Sequence, residues 1–73
     1  MTCQIENDYI ELYKLIKVLD LVDSGAEAKH LVGSGAVYRN GECETRKRAK
    51  ILPGEEISIG EVRIRVEQKK AVS

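Results

Sequence analysis

The sequence lacks several residue types that would indicate particular functions. It has no tryptophan or phenylalanine and only three tyrosines among 73 residues, whereas proteins that stack single-stranded bases need several exposed aromatic faces. Cys3 and Cys43 are too few for a disulfide framework or a zinc site, so a reducing compartment and no bound metal are expected. No apolar run is long enough to span a membrane and no signal-peptide pattern is present, so a cytoplasmic protein is expected.

The chain also lacks net charge, because twelve lysines and arginines balance twelve acidic residues. A general nucleic-acid-binding protein would carry a positive excess. The balance is uneven along the chain, however: residues 29–50 hold six cations and two acids, a net charge of +4, and the remainder has a net charge of −4. Since charges are screened over about 8 Å at physiological salt, a partner would sense this local positive region.

Four of these cations lie in the run Arg46-Lys47-Arg48-Ala49-Lys50, which we call the basic loop (residues 46–50). An Asn40-Gly41 hairpin signal precedes the loop and a Pro53-Gly54 turn follows it, so it should lie at a surface corner of a folded unit. A cationic cluster fixed there would suit a polyanionic ligand. The alternative is an ordinary solvated loop, which is how most short charge runs end up.

Two amphipathic helices are predicted before the basic loop. The first is indicated by an apolar stripe with helical spacing, formed by Leu12, Leu15, Ile16 and Leu19. Asp8 could cap this helix, with Glu11 as its reciprocal partner. Ser24 and Glu27 have the spacing of a capping box for the second helix, and the glycines of residues 33–35 should end it.

Short strands are predicted for the rest of the chain. Residues 36–39 and 42–45 should form a hairpin around Asn40-Gly41, and residues 57–59 and 62–66 alternate between apolar and polar side chains. Residues 1–7 show no periodicity and are expected to be a short lead-in, and residues 69–73 a frayed tail. The prediction is one α+β domain (1–73, core about 8–67, with short flexible ends): two N-terminal helices packed on a small antiparallel sheet of three to four short strands.

Residues 11–66 resemble the S-four-type RNA-binding domain, named for the fourth protein of the small ribosomal subunit, and above all its small stand-alone bacterial members. The positions that carry the resemblance are Leu12, Leu15, Ile16, Ser24, Ala28, Leu31, Val32, Gly35, Val37, Asn40, Gly41 and the stretch 53–57, together with Thr45-Arg46-Lys47-Arg48 before Ile51. The resemblance implies an alpha-L RNA-binding motif and a non-catalytic RNA-binding function. It implies no metal, no cofactor and no small-molecule substrate.

The chain departs from that family at three positions, one of which is Arg39, at a strand position that is commonly aliphatic in the family. Many members have arginine where this chain has Glu11, and Ser-Arg where it has Ser24-Gly25. Those arginines are usual RNA contacts, so the resemblance implies that the helices contribute less here. The binding role should then depend more on the basic loop.

Six cations are the candidate RNA contacts: Lys29, Arg39, Arg46, Lys47, Arg48 and Lys50. Arginine meets a phosphate with a planar fork of donors, so Arg46 and Arg48 would anchor phosphates while the lysines add positive field. Lys29 could face the loop across a groove, or could be an ordinary helix residue paired with an acid. Arg39 could instead lay its stem over the sheet edge. The expected ligand is structured RNA, such as ribosomal RNA or an assembly intermediate, recognised by its shape and phosphates.

Other chemically capable residues do not favour an enzyme. His30 has no carboxylate at a recognisable spacing, Cys43 lies in a predicted strand, and Glu55-Glu56 follows a turn without a partner acid or base. Tyr38 is expected to be half-buried in its strand. The competing function is a protein-interaction adaptor that keeps the fold without strong RNA binding, which the neutral total charge and Glu11 would favour.

Overall fold

Two short helices lie among seven strands in the computed structural model, which describes residues 1–69. The helices are α1 (Leu12–Val18) and α2 (Gly25–Gly33). The strands are β1 (Thr2–Ile5), β2 (Ile10–Glu11), β3 (Val37–Arg39), β4 (Glu42–Cys43), β5 (Lys50–Ile51), β6 (Glu56–Ile59) and β7 (Val62–Gln68). Neither helix within the described residues is long and apolar enough to cross a membrane.

The strands form one five-stranded sheet and one two-stranded sheet. The large sheet has the order β1-β7-β6-β3-β4, with β1 parallel to β7 and the other neighbours antiparallel. Strands β2 and β5 pair separately and antiparallel. The α+β class and the two helices are confirmed. The expected antiparallel sheet of three to four strands is wrong, because the main sheet is mixed and has five strands.

The N-terminal residues are part of the sheet, so the prediction of an unstructured lead-in is wrong. Cys3 and Ile5 on β1 are buried and pack with the rest of the core, which therefore begins before residue 8. The helices thus follow strands rather than opening the fold. Burial raises the pKa of the Cys3 thiol, which keeps it neutral, as suits a small apolar side chain.

The predicted tail at residues 69–73 falls mostly outside the described residues. Lys69 is described, and its backbone N–H donates to the carbonyl oxygen of Ile5 at 2.7 Å. This bond holds Lys69, the residue after β7, against the end of β1, so Lys69 is not part of a frayed end. Residues 70–73 lie beyond the part of the chain that the structure describes.

Helix α1 begins differently from the predicted capping pattern. Glu11 is the N-cap residue but its side chain makes no capping bond, and Asp8 lies before the helix, so the predicted Asp8 cap is wrong. Instead, the amides of Leu12 and Tyr13 donate to the carbonyl oxygens of Ala49 (3.0 Å) and Lys47 (3.1 Å). The first turn of α1 is therefore capped by the backbone of the basic loop, which fixes the loop in place.

The other local signals match the structure closely. Ser24 Oγ accepts from the amide of Glu27 at 3.2 Å, which confirms the cap of α2, although the Glu27 carboxylate accepts from Asp23 rather than from Ser24. Asn40 (φ 52°) and Gly41 (φ 88°) both have positive φ, as a type I′ hairpin turn requires.

The core lies between the helices and one face of the large sheet. Its fully buried side chains come from both helices and from the central strands, with Ile51 of the small sheet added. They are Leu12, Leu15, Ile16, Ala28, Val32, Val37, Ile51, Ile57, Ile64 and Val66. Three of the four residues of the predicted α1 stripe are thus in the core, while Leu19 packs at its margin. The second sheet, β2-β5, joins the start of α1 to the end of the basic loop.

Candidate nucleic-acid interface

The segment 9–14 organises the positively charged side chains. It contains β2 and the first turn of α1, and it contacts the basic loop at two places. The α1 amides bind carbonyl oxygens of the loop, and Glu11 pairs with Lys50 in the small sheet. The side chain of Ala49 is buried between these contacts. The loop is therefore a fixed corner of the fold, and its cations have defined positions.

Two lysines sit against tyrosine rings of this segment. Lys50 Nζ lies 5.0 Å from the ring centre of Tyr9, and Lys29 Nζ lies 4.8 Å from that of Tyr13. Both distances are typical of cation–π contacts, which hold the lysine stem while the ammonium group keeps donors for another partner. Lys29 has no carboxylate within 4.0 Å among residues 1–69, so the described part of the chain does not show the acid partner considered for it.

Lys47 lies beside the end of α2. A Cβ atom built on Gly33 would be 3.5 Å from Lys47 Cε, an ordinary van der Waals distance, so the lysine stem passes close to this position of the helix. Residues 29 and 33 are one turn apart on α2 and share a face of the helix. Lys29 and Lys47 therefore approach the same side of α2, as expected for a loop that faces the second helix.

Glu11 forms ion pairs with two further cations. Lys14 Nζ lies 3.1 Å from one carboxylate oxygen, and Arg48 Nε lies 3.7 Å from the other. The hydrogen bond to Glu11 raises the pKa of Lys14, with smaller Coulombic contributions from Tyr13 and Glu11. One carboxylate thus partly neutralises two cations.

We call the cations grouped around segment 9–14 the basic surface. Its members are Lys14, Lys29, Lys47, Arg48 and Lys50. Glu11 is the one carboxylate paired with any of them within residues 1–69, so the positive charge of this surface exceeds its negative charge. Such a local excess can attract a polyanion even though the whole chain is neutral.

The two remaining candidates are bound to carboxylates of another cluster. Arg39 donates from Nε and Nη2 to the Glu55 carboxylate, both at 2.9 Å, and from Nη2 to the carbonyl oxygen of Lys50. Arg46 donates to Glu44 Oε1 at 2.9 Å. Glu44 Oε1 also lies 3.6 Å from Arg39 Nη1. The structure therefore groups four of the six candidates around segment 9–14 and places these two beside the β3–β4 hairpin.

The sequence analysis did not identify three side chains of this region. Lys14, Tyr9 and Tyr13 were not among the candidates, yet they support or extend the basic surface. Lys14 could have been found from its position three residues after Glu11 in the first turn of a predicted helix. The tyrosines gave no local signal. Tyr38 is 44% exposed, so slightly more than half of its surface is buried, in line with the expected half-buried tyrosine.

Comparison with known proteins identifies one family. A family profile described as the S4 domain matches residues 3–67. The chain is 40% identical over 53 residues to YbcJ of Escherichia coli (strain K12), a candidate RNA-binding protein. The aligned residues are 73% of this chain and 76% of YbcJ. YbcJ of Shigella flexneri matches to the same extent. The solution structure of E. coli YbcJ, described as revealing an ALFAL motif involved in RNA-binding, matches with a TM-score of 0.70 and 34% identity, over 90% of this chain and 85% of that one.

Proposed function

Because the chain belongs to the S4 domain family, we propose that it is a non-catalytic RNA-binding module for structured RNA. The structure and name of YbcJ associate a similar chain with RNA binding, which supports this proposal. Recognition would proceed through phosphate contacts and the shape of the folded RNA. Ribosomal RNA or an assembly intermediate would be a suitable ligand.

The observation that carries the proposal is the grouping of five cations around segment 9–14. Arg48 can present its planar fork to a phosphate, while Lys14, Lys29, Lys47 and Lys50 supply point charges on stems held by their neighbours. Because the loop backbone is already ordered, little backbone entropy remains to be lost on binding. A line of phosphates could thus be met by several cations at once.

The proposed site differs from the six candidates in three respects. Lys14 is added, and Arg39 is assigned a structural role, because its donors already bind Glu55 and the backbone of Lys50. Arg46 is exposed but paired with Glu44, so it would contribute only after leaving that carboxylate. The RNA-binding set proposed is therefore the basic surface.

Salt dependence tests this function. If about four phosphates are engaged, log affinity should fall with log salt at a slope of about −3, using roughly 0.7–0.9 per phosphate. Fluorescence anisotropy with a labelled blunt-ended RNA hairpin over a series of KCl concentrations measures this slope. Weak, salt-insensitive binding, together with a polypeptide that co-purifies after nuclease treatment, would favour the adaptor function instead. Crosslinking in cells and sequencing of the attached RNA would identify the target.

Replacing Glu11 with glutamine is expected to tighten RNA binding by about fivefold, equivalent to about 1 kcal/mol. The carboxylate repels phosphates and holds Lys14 and Arg48, and the neutral amide would do neither. Anisotropy on the same hairpin measures the gain. Glu61→Gln, at the exposed β6–β7 turn, makes the same change of charge away from the site and should have little effect. An equal gain in both variants would mean that only net charge matters.

A further inference from the structure

The sheet face opposite the helices is uncovered within the described residues. Side chains alternate along each strand, so the residues next to buried Val37, Ile57 and Ile64 point to this second face. Tyr38 lies there with 44% of its surface exposed, and Arg63 is also exposed. A large aromatic ring left in solvent on a sheet is available to a partner.

Strand register places these side chains in one row. Tyr38 of β3 pairs with Ser58 of β6, and Ser58 pairs with Arg63 of β7. We call these three residues the stacking row. With strands about 4.8 Å apart, the Cα atoms of Tyr38 and Arg63 are separated by about 10 Å. The short side chain of Ser58 between them leaves space beside the tyrosine ring.

Charge distinguishes this row from the rest of the face. Within residues 1–69, no carboxylate oxygen lies within 4.0 Å of the Arg63 guanidinium. Across the strands Arg63 faces Ser58, whereas Arg65 faces Glu56. Along the chain each arginine has one acid two residues away, Glu61 for Arg63 and Glu67 for Arg65. Arg63 is therefore the cation of this face that is best placed to attract a phosphate.

The row is continuous with the basic surface. Tyr38 pairs with Cys43 on edge strand β4, and Cys43 Sγ lies 3.5 Å from the carbonyl oxygen of Gly35. Gly35 is two residues beyond Gly33, which Lys47 approaches. A chain that leaves the basic surface beside Lys47 could therefore pass residues 33–35, two of which are glycines, and reach Tyr38.

We infer that the stacking row binds a single-stranded RNA segment that extends from the structured element on the basic surface. One base stacks on Tyr38, the Ser58 hydroxyl bonds to the ribose or base edge, and Arg63 binds a phosphate. This inference rests on the proposed function and adds a second class of RNA structure to it. A single ring can hold only one base, which agrees with the low aromatic content of the chain.

Two RNA probes test the inference: a blunt-ended hairpin, and the same hairpin with an oligouridine extension at one end or the other. For the unmodified protein, one of the extensions should tighten binding by about fivefold or more. Tyr38→Ala and Arg63→Gln should each remove this gain and leave affinity for the blunt hairpin unchanged. Tyr38→Phe should keep the gain because it keeps the ring. Arg65→Gln is the charge-matched control and should also keep it.

Several outcomes would overturn the inference. Tight binding of the blunt hairpin with no gain from either extension, or a gain that persists in Tyr38→Ala, would exclude stacking on this row. The proposed function would be unaffected by either result. Failure to bind either probe would overturn the proposed function as well. Self-association in sedimentation that Tyr38→Ala abolishes would assign this face to a second copy of the chain.

Discussion

Replacing Lys47, Arg48 and Lys50 together with glutamine is expected to weaken binding of the blunt RNA hairpin by about a hundredfold or more. A hydrogen bond to a charged group contributes about 1.5 kcal/mol or more, and three are removed here. Ordering flexible lysine side chains on binding costs conformational entropy, which offsets part of the energy of each bond. The expected loss of affinity is therefore smaller than the sum of three bonds. The salt slope should become shallower by about one unit per lost contact.

The matched control is a triple variant, Arg63→Gln with Arg65→Gln and Lys69→Gln. It removes the same charge from the sheet face opposite the helices, where Arg63 and Arg65 lie, and from Lys69 just after β7. On a hairpin without extensions, this variant should bind almost as the unmodified protein does. The melting temperature, followed by circular dichroism, should change little for the basic-loop variant, because its three side chains are exposed. An equal loss of affinity in both variants would show that RNA responds to total charge rather than to the basic surface.

The sequence predicted the elements whose signals are local. The α1 stripe, the α2 cap at Ser24 and the Asn40-Gly41 turn depend on residues a few positions apart, and all three are present. Strand β1 gave no such signal. It has only two buried residues, Cys3 and Ile5, and its partner β7 lies about 60 residues away, in parallel register. Pairing of this kind depends on the whole fold.

The same distinction separates the candidate site residues. The position of the basic loop followed from the turn signals on either side, but the partners of its cations did not. Glu55 binds Arg39 across 16 residues of sequence, and Glu11 meets Arg48 through the capping contact between α1 and the loop. Which arginines stay available to a ligand is therefore decided by long-range geometry. Lys14 was within reach of local reasoning, since it pairs with Glu11 at the helical spacing of three residues.

Removal of the Glu55 carboxylate should clearly lower the stability of the fold. Glu55 accepts two bonds from Arg39, one from the Asn40 side chain at 3.3 Å, and one from the backbone amide of Leu52 at 2.7 Å. It therefore fastens the β3–β4 hairpin to the turn before β6. Alanine would leave the Arg39 guanidinium without its main partner in a half-buried position.

The expected loss for Glu55→Ala is about 2–3 kcal/mol in the free energy of unfolding. This is less than for a fully buried pair, because the Arg39 and Glu55 side chains keep 23% and 19% of their exposure. For a domain of this size each kcal/mol shifts the melting temperature by roughly 4–8 °C, so a decrease of about 10–20 °C is expected. Thermal unfolding by circular dichroism measures it.

Two variants decide whether this loss reflects the Glu55 network. Glu56→Ala removes a neighbouring carboxylate that makes no side-chain bond within residues 1–69, and it should be nearly neutral. Arg39→Gln removes the other half of the pair, so it should lower the melting temperature yet leave affinity for the blunt hairpin unchanged below that temperature. Because a structural residue acts through the fold, loss of RNA affinity in Arg39→Gln without loss of stability would instead place Arg39 in the RNA-binding surface.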